Sequence, residues 1–296
     1  MPVSKPSFTV EQVRSFLAVA EHEHVSRAAV SLHLTQGAVT QQVHNFERAL
    51  GVRLLERDGR GIRLTDAGQG LAVTCRAALR AFEVVEDSAR ALKMLEAGSL
   101  HLGASPTCAT HYLPSRLAAF SRQFPNVTLS VLVEPSREIN NQVKAGALDC
   151  AVIEGEPLPD LVNIVLTHDA LVLVVHRDHP LATLKRVGPD QLSKYRYLGR
   201  GREWSAESTV RAMIGDAYDR SEVMSLGHPE YVRAAALAGL GYAALSLLAV
   251  REDIDAGLLK RLPVPAIERP IRAIRRIAQG GPTLEEFWQY LVRGSS

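Results

Sequence analysis

Residues 26–47 read SRAAVSLHLTQGAVTQQVHNFE, and the placement of small, amide and hydroxyl side chains in this stretch decides the fold of the N-terminal region. Most surface helices carry Glu and Lys at their polar positions; here those positions hold Gln, Thr, Asn and His. Set on a helix at about 100° per residue, Val39, Val43, Phe46 and Leu50 gather on one stripe. Gly37, Gln41, His44 and Arg48 fall opposite it, Thr40 and Asn45 on the flanks. Thr35 is placed to cap this helix, and Ser26 is expected to cap a shorter one before it. In that shorter helix Ala28 and Ala29 are small enough to let another helix cross closely. Val13, Phe16, Leu17 and Ala20 supply the apolar stripe of a still earlier helix.

Three short helices therefore precede residue 50, and the third turns amides and hydroxyls outward. Gln and Asn bond adenine edges, Thr touches or bonds thymine, and Arg suits guanine. The outward face, Gln36, Thr40, Gln41, His44 and Arg48, has the chemistry of a recognition helix. A small helical bundle with a polar face is the plainer alternative. The next residues weigh against it. RLLER and IRLT read as two short strands joined by Asp58-Gly59-Arg60-Gly61, and Arg48, Arg53, Arg57, Arg60 and Arg63 face only Glu56 and Asp58. A basic hairpin after a helix-turn-helix is a wing, whose arginines meet phosphates or a narrow minor groove.

At this point a resemblance is plain. Residues 16–68, FLAVAEHEHVSRAAVSLHLTQGAVTQQVHNFERALGVRLLERDGRGIRLTDAG, resemble the winged helix-turn-helix of LysR-type transcriptional regulators. HPLA at 179–182 and AALAGLGYAALS at 235–246 are similar to that family's effector domain, so the likeness spans nearly the whole chain. Two positions depart from the pattern. Gly37 stands where Pro or Ser is common and loosens the first turn of the helix. Gln41 stands where many members carry Arg, which alters the base read there.

Within residues 66–96, Leu71, Cys75, Ala78, Phe82, Val85, Ala89 and Leu92 recur at alternating steps of four and three. That period predicts a seam between two helices. A long helix packed on its own domain is the alternative, but no second helix of similar length is legible in the chain. The resemblance implies that this helix joins two winged domains, and that dimers assemble into tetramers.

From Gly98 onward, runs such as LHLGAS, VTLSVLVE, LDCAVIEG, ALVLVVH, YRYLG, GYAALS and IRAIRRIA alternate with amphipathic helices, predicting a parallel or mixed α/β sheet. Ser105, Thr107 and Thr110 follow the first strand, and Ser136 opens a helix. Hydroxyls and N–H groups at helix starts can hold an anion, beyond the carboxyl ends of strands where such sheets bind ligands; each is equally explained as an ordinary cap. The resemblance implies a two-lobed domain like a periplasmic binding protein, with the effector between the lobes. It places Ser105, Thr107 and Ser136 on the first lobe's side. On the second lobe GRGREWSAES, residues 199–208, stands where relatives often read SGTR, bringing Trp204 and Ser205 to the cleft. His228 is read either as a cleft residue or as the cap of its helix.

The expected architecture is thus α/β: a winged helix-turn-helix over 1–65, a linker and dimerisation helix over 66–97, and an effector domain over 98–296. Its first lobe takes about 98–168 and 268–296, its second about 169–267. The expected partners are double-stranded promoter DNA, a small organic or inorganic anion, further copies of the chain and, from the resemblance, RNA polymerase. No metal or cofactor is expected.

Composition bounds the alternatives. In 296 residues, 46% are hydrophobic and 34 Lys and Arg nearly balance 32 Asp and Glu, so a basic patch would have to be local. Cys75, Cys108 and Cys150 show no Cys-x-x-Cys spacing and fit a reducing compartment. Inert, buried cysteines are the favoured reading, and a thiol sensor at Cys108 is the alternative. With no apolar leader and no long apolar run, the chain reads as cytoplasmic, associated with a bacterial nucleoid. No nucleophile elbow, P-loop or zinc-protease motif occurs. An α/β enzyme with a DNA-binding appendage is the competing class.

Overall fold

The computed structural model describes residues 7–58, 61–92, 98–201, 206–277 and 280–293, with the backbone alone for 86–92 and 206–207. The chain forms two compact units that part near the end of the long helix.

The first unit begins with α1 (Val10–His22), closed by a capping box in which Thr9 and Gln12 exchange backbone bonds of 3.3 and 3.0 Å. In α2 (Val25–Ser31) the cap is His24, whose Nδ1 accepts from the Ser26 amide at 3.2 Å. Ser26, expected as the cap, instead lies inside the helix and donates to Gln36 Oε1 at 3.0 Å. An imidazole nitrogen reaching two residues ahead does the work of a hydroxyl. Buried Ala28 and Ala29 allow the close crossing. His33 takes a left-handed turn (φ 55°) into α3 (Gln36–Leu50), whose cap Thr35 accepts from the Ala38 amide at 3.2 Å, a contact worth about 1 kcal/mol. Val39, Val43 and Phe46 are buried; Phe46 meets Phe16 and Phe8 with ring centroids 5.6 and 5.1 Å apart.

β1 (Leu55–Asp58) and β2 (Gly61–Leu64) form an antiparallel hairpin. The Glu23 carbonyl accepts from the Ile62 amide at 2.9 Å, and Glu47 Oε1 accepts from the Leu54 and Leu55 amides at 2.8 and 3.2 Å. The hairpin is thereby fixed to both α1 and α3. The long helix α4 (Asp66–Leu92) starts with Gly68 pressed on the backbone just before β1: a Cβ there would lie 2.1 Å from the Leu54 carbonyl oxygen.

The stripe expected along α4 is divided. Leu71 and Cys75, predicted on an intermolecular seam, pack with Ala72 and Leu79 onto the helix-turn-helix core. The first turns of α4 run against that core and bury what faces it. Ala78 is exposed, and so are Phe82 at 58% and Val85 at 67%. The side chains of Ala89 and Leu92 lie outside the described residues.

The second unit holds a nine-stranded sheet ordered β4-β3-β5-β11-β6-β9-β7-β8, with β10 also on β6. Its strands are β3 (Gly98–Ala104), β4 (Val127–Val133), β5 (Cys150–Ile153), β6 (Leu161–His176), β7 (Tyr197–Gly199), β8 (Val223–Ser225), β9 (Tyr242–Ser246), β10 (Leu259–Arg261) and β11 (Ile267–Arg276). β3 pairs in parallel with β4 and β5, and β7 with β8 and β9; β11 runs antiparallel between β5 and β6. β6 and β11 are the long crossing strands. Along β6 the sequence changes from alternation in VNIVLTHDA to the continuous apolar run ALVLVV, as its burial changes from one-sided to two-sided. Leu166, Ile271 and Ala273 join a core with Leu102, Phe120, Phe287 and Trp288. Leu171, Leu173 and Val175 join Tyr197 and Tyr242 on one face, and Val172 and Val174 join Leu198 and Val250 on the other. Three hydrophobic clusters thus share one sheet, one at the β6 start and two on opposite faces of its end. The helices that matter to the site are α5 (Leu113–Gln123), α6 (Ser136–Ala145), and, in order, α7 (Pro189–Leu192), α8 (Ala206–Ile214), α9 (Ala217–Arg220), α10 (Pro229–Leu237), α11 (Leu247–Asp255) and α12 (Pro282–Arg293).

Among the described residues no helix is long and apolar enough to cross a membrane.

Candidate functional sites on a polar helix face and in an interlobe cleft

The outward face of α3 carries Gln36, Gly37, Thr40, Gln41, His44 and Arg48, all exposed. Three are oriented by neighbours one turn away. Thr40 Oγ1 donates to the Gln36 carbonyl at 2.9 Å, Gln41 Nε2 donates to Asn45 Oδ1 at 2.9 Å, and His44 Nδ1 stands 3.6 Å from Glu47 Oε2. The Thr40 oxygen, its proton committed, can still accept. On the hairpin, Arg63 donates to Glu56 Oε1 at 2.7 Å across directly paired positions. Among the described residues Arg48 and Arg57 have no such partner, so their charge is free to face phosphate. Arg60 lies outside the described residues.

In the second unit, a cleft of about 720 Å³ is lined by residues of both lobes, among them Ser105, Ser136, Arg137, Glu154, Arg200 and Arg269. Ser105 follows β3, and Ser136 begins α6. Thr107 lines a smaller void of about 20 Å³ with Ser246, bounded also by Arg200 and Arg269. The void is the size of a single water. A π-helical turn, Cys108–Tyr112, intervenes before α5, and Thr110 turns its hydroxyl onto the Pro106 carbonyl at 3.0 Å.

The centre of the cleft holds a group that the sequence reading missed. Glu154 receives the Ser105 hydroxyl and the Cys108 thiol, the latter at 3.2 Å. Its other oxygen lies 3.6 Å from Arg269, which is itself bonded through Nη2 and Nε to Asp169 at 2.9 and 3.1 Å. Burial pushes the Glu154 carboxyl up; the Arg269 guanidinium and bonds from Ser105, Thr107 and Cys108 outweigh it and hold the group below the usual carboxylate range. The hydroxyls expected to receive an anion thus already hold one that belongs to the protein. Glu154 directly follows CAVI, a strand buried at every position, and a carboxylate at that border was the available signal. Asp169 and Arg269 are a hundred positions apart and gave none.

A second tie crosses the lobes. His111 Nε2, in the π-helical turn, lies 2.7 Å from Glu230 Oε1 at the start of α10, and Glu230 also faces Arg233 at 3.5 Å. His228 caps α10 through Nδ1, accepting from the Glu230 amide at 3.3 Å, and does not line the cleft. Trp204 and Ser205 lie outside the described residues. Cys108 and Cys150 are fully buried; burial raises both thiols well above their ordinary value, with the Glu154 charge adding to it at Cys108 and Asp149 at Cys150. Such thiols are poor redox sensors.

The comparisons with known proteins agree with this layout. Residues 10–69 match the family model described as bacterial regulatory helix-turn-helix protein, lysR family, and residues 94–296 match the LysR substrate binding domain. The chain is 31% identical over 275 residues to a probable RuBisCO transcriptional regulator of Cyanidioschyzon merolae, covering 88% of each. Its fold is similar to the crystal structure of CbnR, a LysR family transcriptional regulator (24% identity, TM-score 0.70, 98% of this chain and 100% of that one). It is similar also to full-length CbnR complexed with its target DNA (23% identity, TM-score 0.70, 97% and 100%). A helix-turn-helix with a polar outward face, a hairpin beside it and a two-lobed effector domain make this chain a member of the LysR family, a DNA-binding transcriptional regulator rather than an enzyme.

Proposed function

We propose that the protein reads a dyad in promoter DNA through Gln36, Thr40, Gln41, His44 and Arg48 of α3, with Arg57, Arg60 and Arg63 of the hairpin on the phosphates. The observation that carries this is the exposed α3 face, where amides, a hydroxyl and an imidazole replace the usual Glu and Lys beside the unpaired Arg57. Residues 1–65 form the DNA-binding domain, 66–97 the dimerisation helix and 98–296 the effector domain. Exposed Phe82 and Val85 on α4 support a dimer contact there, and dimers pair into tetramers that meet RNA polymerase at the promoter. The effector is a small molecule with an anionic group, held in the cleft at Ser136 and Arg137, while Ser105 lines its floor and Thr107 the smaller void. The effector shifts the balance between two arrangements of the assembly.

Fluorescence anisotropy on an operator selected from a random duplex pool tests the division of labour. Gln41→Ala should relax preference at one base position at a cost of roughly 1–3 kcal/mol, while Arg57→Ala should weaken all duplexes alike and flatten the salt dependence. Equal losses on selected and random DNA for both variants would refute these roles.

A further inference from the structure

The effector cleft is polarised. Glu154 and Arg269 line its floor, and Asp169, outside the lining, pairs with Arg269. Each hydroxyl and thiol has a single proton to give, and Ser105 and Cys108 give theirs to Glu154. Arg269 is held between the two acids. A simple anion reaching this floor would find its donors taken and a carboxylate of like charge in place.

The α6 side of the cleft is opposite in character. Ser136 is 9% exposed, and among the described residues its hydroxyl has no hydrogen-bond partner although it lines the cavity. It sits at the positive start of a ten-residue helix beside Arg137. Asn140 fixes this wall, donating to the Ser136 and Glu156 carbonyls at 3.0 Å each and accepting from the Leu158 amide at 3.0 Å. One wall is built to donate to an anion, and the floor is built to accept from a cation.

Building on the effector reading above, we propose that the cleft takes a zwitterion, an amino acid or close analogue, with its carboxylate at Ser136 and the α6 start and an ammonium paired with Glu154. An ammonium brings three donors and no acceptor, which suits a carboxylate whose neighbours are already committed. Charge complementarity on both poles also rejects the deaminated relatives of the same molecule.

The test uses the full-length protein with the twenty common L-amino acids, the 2-hydroxy and deaminated carboxylates that match them, and inorganic phosphate and sulfate. Thermal shift and titration calorimetry read binding. At least one amino acid should stabilise the wild type and bind ten times tighter or more than its deaminated match. Glu154→Gln should remove that preference. Deaminated acids or inorganic anions binding as well as every amino acid, or no amino acid binding, would overturn the zwitterion; the wild-type comparison decides this even if Glu154→Gln does not fold. Asn141→Trp, which fills the cleft mouth, separates the two claims. Amino-acid binding that survives it removes the cleft reading itself, whereas anion binding that it abolishes keeps the cleft and removes the zwitterion.

Discussion

Arg269 and Asp169 stand directly opposite each other on β11 and β6, joined by two bonds of 2.9 and 3.1 Å where the crossing strands leave one hydrophobic core for the others. Asp169 is 1% exposed and also accepts from the Leu248 amide at the start of α11. The pair ties the crossing strands to a helix and neutralises buried charge. Removing Asp169 strips Arg269 of two bonds and the Leu248 amide of its acceptor, leaving the guanidinium only Glu154 at 3.6 Å, so Asp169→Ala should destabilise the protein by about 1–3 kcal/mol. Urea denaturation checks this; a loss under about 1 kcal/mol would show that solvent reaches Arg269 readily.

Glu154 makes stability depend on acidity in a definite direction. Its folded pKa is depressed, so its contribution is present above the ordinary carboxylate range and fades as pH falls through the folded value. At pH 7 the wild type should be more stable than Glu154→Gln, and the gap should narrow below about pH 4.5. Melting curves from pH 7 to strongly acidic buffer decide it. A constant gap would mean the carboxyl is not held ionised by its neighbours.

Gly68 offers a purely steric test. Its missing side chain lets α4 sit on the Leu54 carbonyl, and a Cβ would intrude to 2.1 Å of backbone oxygen. Backbone cannot swing aside as a side chain can. Gly68→Ala should therefore cost about 1–3 kcal/mol despite alanine's better helix propensity. An unchanged or raised melting temperature would show that the helix start shifts freely.

The exposed part of the α4 stripe predicts assembly. Phe82→Arg places charge where two chains are proposed to meet and should shift the sedimenting species toward monomer. Leu71 and Cys75 serve the winged core instead, so Leu71→Ala should lower the melting temperature without changing the assembly. Unchanged sedimentation of Phe82→Arg would remove α4 from the contact.

Local periodicity carried much of this structure into the sequence. Val39, Val43 and Phe46 declared the buried stripe of α3, Thr35 its start, and RLLER and IRLT the hairpin. Ser26 misled because a histidine can cap as well as a hydroxyl, and His24 was nearer the helix end. The α4 stripe misled in its first turns because periodicity reports an apolar face without saying which surface covers it. Ser105, Thr107 and Ser136 were visible as hydroxyls at strand and helix ends. The engagement of Ser105 and Thr107 by Glu154 was not, since it depends on Asp169 and Arg269 meeting across strands distant in sequence.

The central claim is that α3 reads bases, and one measurement addresses it most directly. A random-sequence duplex pool is selected with the full-length protein, and the affinity of the winning operator is compared with that of a scrambled duplex of equal length at physiological salt. The account predicts a dyad-containing operator bound at least about 10³-fold more tightly than the scramble, with that ratio cut roughly 5- to 150-fold in Gln41→Ala. Equal affinity for both duplexes, or a ratio untouched by Gln41→Ala, would contradict it.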